Sequence, residues 1–322
     1  SPDKYCVDLN DSLFTRGYMI EYYFKAYDLF GDASTYPGTA GEVGGQTREF
    51  TCLPTLRVVP GALFCDDFHS RGTWDGWVQN YWDPAFAAVC PTENDLPDRY
   101  DTNGPSSGVS NGVGAYTSVG DASAIFCTAY EKVIFDSGNL NSYTLSEGTG
   151  NSDKSNDAQL LVDWMNVSEH KVGLLVMGDM IATDLGASTS AVALELVSTI
   201  CGVTVVNESY YDMTGGRTAG GTVTPLITGT GLVGVAPYAG LQYYAFGGCP
   251  IINDFDVLEP TTNGVVALAY PDYNSLPYYA GIYTDQLNNA GQALRTVWVG
   301  HSFMYIRNTA DGTLARNRFL EM

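Results

Sequence analysis

Four strand-like runs of this chain end in aspartate: GALFC at Asp66 and Asp67, DRY at Asp101, EKVIF at Asp136, and LLVMG at Asp179. If the runs are parallel neighbours, their carboxyl ends gather along one edge of a sheet, where open α/β folds bind ligands. Gathered carboxylates there suit a hard cation, Ca²⁺ or Mg²⁺. The expected ligand set is Asp66, Asp67, Asp136 and Asp179, with Asp67 and Asp179 as the metal ligands. The competing reading makes each aspartate a helix N-cap, satisfying orphan N–H groups for about 1 kcal/mol each. NDFDVLEP (Asn253 to Pro260) and NSDKSND (Asn151 to Asp157) are further acidic stretches, but neither has EF-hand spacing, and both read as solvated turns.

The corner Met177-Gly178-Asp179-Met180-Ile181 has the strand-to-helix form that carries a nucleophile in many α/β enzymes. Amidotransferase-like chemistry needs a Cys there, and a His-x-Glu pair after a late strand. Asp179 stands where the thiol should be. The late segment VGHSF supplies His301, but Phe303 occupies the place of the orienting acid. His301 is therefore expected to be a packed or interfacial histidine. A Ser-His-Asp hydrolase fares no better: there are three histidines, His69, His170 and His301, and no G-x-S-x-G. GPSSG (Gly104 to Gly108) lacks an elbow. SNGVGAYTSVG follows no clean strand, and no P-loop lysine exists. No catalytic residue is assigned, and the expectation leans away from an enzyme.

The elements that must position these residues follow from hydrophobic period. YMIEYYFKAYDLFG alternates in aromatic and β-branched residues and reads as strands; YCVDL is a further strand, LFTRG a turn, and GDASTYPGTAGEVGGQ a loop or hairpin. From about Leu56 strands alternate with helices. GALFCDD, DRYDT, EKVIFDSG, KVGLLVMGD and VTVVN are the strands. WDGWVQNYWDPAFAAVC (broken or restarted at Pro84), SVGDASAIFCTAY, SDKSNDAQLLVDWMN and STSAVALELVSTICG are the helices. Continuous apolar strands between helices imply a mostly parallel sheet covered on both faces. After Asn207 the pattern turns β-rich through TVTPLITG, GLQYYAFGG, GVVALAYPD and YYAGIYTDQ. LRTVWVGHSFMYI and a final helix in TLARNRFLEM follow. The expected division is a partial β region over residues 1–55 and an α/β domain over 56–322, with a β-rich insertion at about 208–290.

Totals bound the function. The 322 residues carry 36 acids against 15 bases, a formal charge of −21. Phosphate backbones need a basic face, so a nucleic-acid partner is excluded. No apolar run reaches the roughly 18 residues of a membrane-spanning helix. Seven cysteines (6, 52, 65, 90, 127, 201 and 249) form no CxxC or Cys/His cluster, so zinc is not expected. Cys65 reads as a free core residue; Cys201 with Cys249, or Cys6 with Cys52, are possible disulfides in an exported protein. The 22 tyrosines and 36 glycines suit an extracellular chain rich in strands and loops. Sequons at Asn10, Asn166 and Asn207 carry little weight. The start at Ser1-Pro2 reads as that of a processed piece of a longer product.

DSLFTRGYMIEYYFKAYDLFGDASTYP, EFTCLPTL, DRYDTNGPSSGVSNGVG, VIFDSGNL, GTGNSDKSNDAQLLVDWM, LLVMGDMIATDL, CPIINDFDVLEP and RTVWVGHSFMYIRN together resemble a family of large secreted bacterial proteins. Those proteins carry Ig-like β-sandwich segments, then an α/β unit similar to class I glutamine amidotransferases. The resemblance spans nearly the whole chain. It implies export and a flavodoxin-like or amidotransferase-like α/β layer preceded by part of a sandwich; it supplies no reaction. The resulting expectation is a non-catalytic extracellular structural or interaction protein that self-assembles through β-strand edges, with a copy of itself or another extracellular protein as partner. The alternative is a degenerate amidotransferase-like hydrolase or cation-binding domain using the acidic strand ends.

Overall fold

The structure is a computed structural model that describes residues 10–14, 18–38, 45, 47–52, 61–68, 78–102, 113, 129–149, 155–215, 224–230, 240–245, 254–307 and 313–320. The chain divides into two compact units, residues 1–59 and 60–322.

In the first unit, β1 (Met19–Tyr22) pairs antiparallel with β4 (Arg48–Thr51), and β2 (Phe24–Tyr27) pairs with β3 (Ala33–Tyr36). The expected strands of YMIEYYFKAY and the GDASTYP hairpin are present; YCVDL lies outside the described residues. Among the described residues each ribbon has two strands, too few to build a core by itself. Its side chains show this: Tyr18, Met19, Tyr22, Tyr23, Phe24, Tyr27, Leu29, Phe30 and Tyr36 are all exposed.

The second unit is a mixed α/β layer around one twelve-stranded sheet. In chain order it contains β5 (Gly61–Asp66), α1 (Gln79–Val89), β6 (Asp98–Asp101), β7 (Tyr130–Asp136), α2 (Asp157–Val167), β8 (Val172–Met177), α3 (Ile181–Gly186) and α4 (Ala191–Leu194). A π-helix (Glu195–Ile200) follows α4. Then come β9 (Val203–Asn207), α5 (Tyr210–Met213), β10 (Leu226–Gly229), β11 (Gln242–Ala245), β12 (Val257–Pro260), β13 (Val265–Ala269), β14 (Tyr279–Leu287), β15 (Ala293–Val299), β16 (Ile306–Arg307) and α6 (Thr313–Leu320).

β6, β5, β7, β8 and β15 form a parallel block in that spatial order. Numbered along the chain this is 2-1-3-4-5, the flavodoxin-like order. The β-rich segment does not form a separate layer. It extends the same sheet antiparallel through β14, β13, β10, β11 and β16. Period 2 sorts the core. Phe64, Met177 and Val299 face one side with Trp82 and Phe86 of α1 and Phe319 of α6. Leu63, Cys65, Val133, Phe135, Leu174 and Val176, also buried, alternate to the other. Among them is Cys65, a free buried thiol as expected.

Three expectations change. The helix at Trp82 runs unbroken through Pro84, because a proline forfeits one backbone hydrogen bond while Trp82, Ala85 and Phe86 hold the helix on the sheet. VTVVN is not the fifth parallel strand. It pairs antiparallel with β12, off the main path, and the fifth place goes to β15. The difference is burial: Leu294, Thr296, Trp298 and Val299 of β15 are buried, whereas Thr204 and Val206 of β9 face solvent. Finally, Cys201 is a free thiol buried beside Thr296, so the expected bridge to Cys249, itself outside the described residues, is not formed. Cys52 is likewise free. SVGDASAIFC, His69 and the GPSSG and SNGVG loops lie outside the described residues, apart from Val113. Among those described, no helix is long and apolar enough to cross a membrane.

Candidate functional site at the switch point

In the 2-1-3-4-5 order the strand connections reverse direction between β5 and β7, and a ligand crevice is expected there. The two strands end in register, Asp66 opposite Asp136. The amide of Asp67 donates to the Asp136 carbonyl at 3.0 Å, and the amide of Thr102 to the Asp66 carbonyl at 3.0 Å, so the three strand ends are knitted together. Two of the four expected carboxylates therefore do meet. Alternation separates Asp67 from them, because consecutive residues of a strand point to opposite faces.

Asp136 is fully engaged. One carboxylate oxygen accepts the Trp82 indole N–H at 2.7 Å, the Ser302 hydroxyl at 3.1 Å and the Phe303 amide at 3.2 Å. The other accepts the Gly138 amide at 3.0 Å. Burial pushes its pKa up to about 6, with these donors opposing the rise. Trp82 in turn stacks on Phe303, ring centroids 3.8 Å apart.

Asp66 meets Arg99, whose Nη2 lies 3.1 Å from one carboxylate oxygen. Arg99 also reaches Asp101 at 2.8 Å and Asp83 at 3.4 Å. A guanidinium divided among three carboxylates and partly open to water neutralises each of them weakly. Burial and the neighbouring Asp101 prevail over Arg99, and the Asp66 carboxyl is pushed up to about 8. On the opposite side, Asp67 takes the Thr102 hydroxyl; burial first, then Asp157, Asp66 and Asp184, hold its carboxyl well above the usual range.

Asp179 does not join this pair. Its two oxygens accept the amides of Phe255 at 2.7 Å and Asp254 at 3.2 Å, and so it holds the loop leading into β12. Neither does it cap α3. That role falls to Asp256, which accepts the amides of Ala182 at 2.8 Å and Thr183 at 3.3 Å and the Thr183 hydroxyl at 2.5 Å. The corner's glycine has a steric cause: a Cβ on Gly178 would lie 2.0 Å from the Ser137 hydroxyl oxygen. Asp67 and Asp179 are thus held by different partners. Among the described residues no group of three or more His, Cys, Asp or Glu side chains is placed to hold a metal ion.

His301 is fully buried. Its Nδ1 lies 3.0 Å from the Ser302 carbonyl, which can only accept, so Nδ1 carries the proton and Nε2 accepts from the Tyr243 hydroxyl at 3.0 Å. Burial lowers its pKa to about 4. A neutral imidazole with both nitrogens engaged, and Tyr243 and Phe255 against its ring, is a packing residue.

The chain matches no known family pattern and no curated protein. Solved structures similar to it include a catalytic mutant of Gan42B, a GH42 β-galactosidase from G. stearothermophilus, at 11% identity and a TM-score of 0.42. The match covers 81% of this chain and 29% of that one, so the chain spans under a third of the galactosidase's length. The mmIFT52 N-terminal domain matches at 11% identity and a TM-score of 0.43, over 81% of this chain and 94% of that one. A ThuA-like protein from Bacteroides uniformis matches at 9% identity and a TM-score of 0.39, over 83% and 93%. Likenesses of this size carry no functional argument.

Arg99, Trp82, Ser302 and Asp256 are the partners that sequence reasoning did not single out. Only Asp256 had a visible signal, an acid inside NDFDVLEP, and the solvated-turn reading of that stretch fails: Phe255, Asp256, Val257 and Leu258 are fully buried and Val257–Pro260 is β12. Its Phe255 adopts φ +57, a left-handed conformation rare for a bulky residue, while its ring is fully buried against Tyr211, His301 and Tyr305.

Proposed function

We propose that the chain is a non-catalytic extracellular structural or interaction protein that associates with copies of itself through its N-terminal ribbons. The observation that carries this reading is the exposed aromatic set of residues 18–36, on ribbons that bury no core of their own. Exposed apolar side chains concentrated in this way mark an interaction site. The state of the would-be elbow supports the absence of catalysis: Asp179 holds backbone amides and His301 is buried and neutral. The test is sedimentation of the full chain against a Tyr22→Ser, Phe24→Ser, Tyr27→Ser variant. Concentration-dependent association lost in the variant supports the reading; a monodisperse monomer at high concentration removes it.

One observation favours a second reading, a ligand- or cation-binding domain using the strand-end crevice. Asp66 is fully buried at the switch point, and its Oδ1 has no side-chain hydrogen-bond partner among the described residues. Calorimetric titration with Ca²⁺ and Mg²⁺ decides it: equal heats from the native chain and Asp66→Asn remove this reading.

A further inference from the structure

The sheet of the second unit has one edge built unlike the others. β9 pairs with β12 on one side, and among the described residues no strand takes its other side. Its sequence, VTVVN, is β-branched at four of five positions, with no Pro and no Lys. Pro, Lys and inward charges are the devices by which proteins blunt an exposed edge. Val206 is 44% exposed on this strand. The surroundings are acidic. Glu195, Glu208 and Glu259 are exposed, Glu259 being the register partner of Thr204, and residues 172–216 contain no Lys or Arg.

The N-terminal ribbons have the opposite character. Lys25 on β2 lies over the Tyr27 ring, 5.1 Å from its centroid. Arg48 on β4 lies 5.3 Å from the Tyr36 ring centroid and donates to the Tyr36 hydroxyl at 2.7 Å. Both cations stand among exposed aromatic side chains.

We infer that β9 is an acceptor edge for the β2–β3 ribbon of a second copy of this chain, added as a strand. Main-chain pairing supplies the register. The aromatic side chains cover Val206, and Lys25 and Arg48 meet the acidic rim. Donor and acceptor are different surfaces, so the contact is heterologous and propagates from copy to copy instead of closing into a two-fold dimer. This inference rests on the self-association proposed above and assigns its second surface.

The experiment uses two variants of the full chain in analytical ultracentrifugation at low salt. The donor variant is Lys25→Ser with Arg48→Ser; the acceptor variant is Val206→Lys with Glu208→Lys. The native chain is expected to give an open series of oligomers, and each variant alone to associate at least about tenfold more weakly, since charge complementarity across the contact is lost. Mixed, the two variants give a one-to-one dimer and nothing larger, because one intact ribbon meets one intact edge. That dimer also reports that the acceptor variant is folded. An acceptor variant that associates like the native chain overturns the β9 assignment while leaving ribbon-mediated association standing. A mixture that yields no dimer, or a native chain that stops at a dimer, overturns it as well. If the donor variant and the tyrosine and phenylalanine substitutions above both associate undiminished, the ribbon reading falls too.

Discussion

Asp179 and Asp256 clamp one corner of the sheet from its two sides. Asp179, after β8, accepts the amides of Asp254 and Phe255; Asp256, before β12, accepts the amides of Ala182 and Thr183. The backbone joins the same segments, with the Asp256 amide donating to the Asp179 carbonyl at 3.2 Å. Each carboxylate thus satisfies donors on the other's strand-to-loop junction, and the start of α3 is fixed to the segment that enters the antiparallel half.

Removing either carboxylate leaves buried amides without an acceptor. Asp256→Ala is expected to destabilise the chain by about 2–4 kcal/mol, since each orphaned buried group costs about 1–3 kcal/mol. Asp256→Asn, which keeps one carbonyl oxygen, should cost less. Urea unfolding followed by circular dichroism measures both; a loss below about 0.5 kcal/mol for the alanine, the size of an ordinary surface substitution, would contradict the clamp.

Acid should stabilise this protein. Asp66 and Asp136 hold their protons to about 8 and about 6 when folded, whereas an unfolded aspartate releases its proton near ~4. Between those values the folded chain binds more protons than the unfolded chain, so stability falls as pH rises. The contribution is complete below the unfolded value, lost through about 6 for Asp136 and through about 8 for Asp66. Thermal melts should give a higher Tm in mild acid than in mild alkali. Asp66→Asn should flatten the upper part of that dependence and keep the lower, which separates it from the general relief of the −21 charge. A Tm that rises toward alkali would refute the assignment.

Trp82 tunes Asp136. In Trp82→Phe the ring stack on Phe303 is largely kept, but the carboxylate loses its 2.7 Å donor. The ionised form of Asp136 is then less favoured, and its titration should move above about 6. Carbon-detected NMR titration of the aspartate carboxyls measures it; an unmoved resonance would show that the indole N–H does not hold the charge.

Gly178→Ala forces a methyl into the Ser137 hydroxyl. Overpacking of this kind costs about 1–3 kcal/mol. Because the first clash is with one side chain, Ser137→Gly should return part of that loss in a double-mutant cycle. Simple additivity of the two substitutions would place the strain elsewhere in the corner.

Much of the layer architecture was legible from period alone. The apolar runs GALFC, EKVIF and LLVM became β5, β7 and β8, and Leu160, Leu161, Trp164 and Met165 at helical spacing became the buried face of α2. The role of β9 was not legible. VTVVN has the composition of an interior strand, and only its pairing with β12 shows it to be an edge. The acids were half legible: their position at strand ends was read correctly, but of the four only Asp66 and Asp136 come together.

The amino-acid order by itself determined that aspartates end the strands, that the elbow holds no nucleophile, and that YMIEYYFKAY forms strands. These are local facts of period and residue type. Only the tertiary structure decided what each carboxylate does. Strand alternation parts Asp67 from Asp66 although they are neighbours in the chain. The crossover order brings Asp136 beside Asp66. The return of the chain from the antiparallel half sets Phe255 on Asp179 across 76 residues. A buried carboxylate takes the donors that the fold carries to it, and that delivery depends on contacts too distant along the chain for any spacing to express.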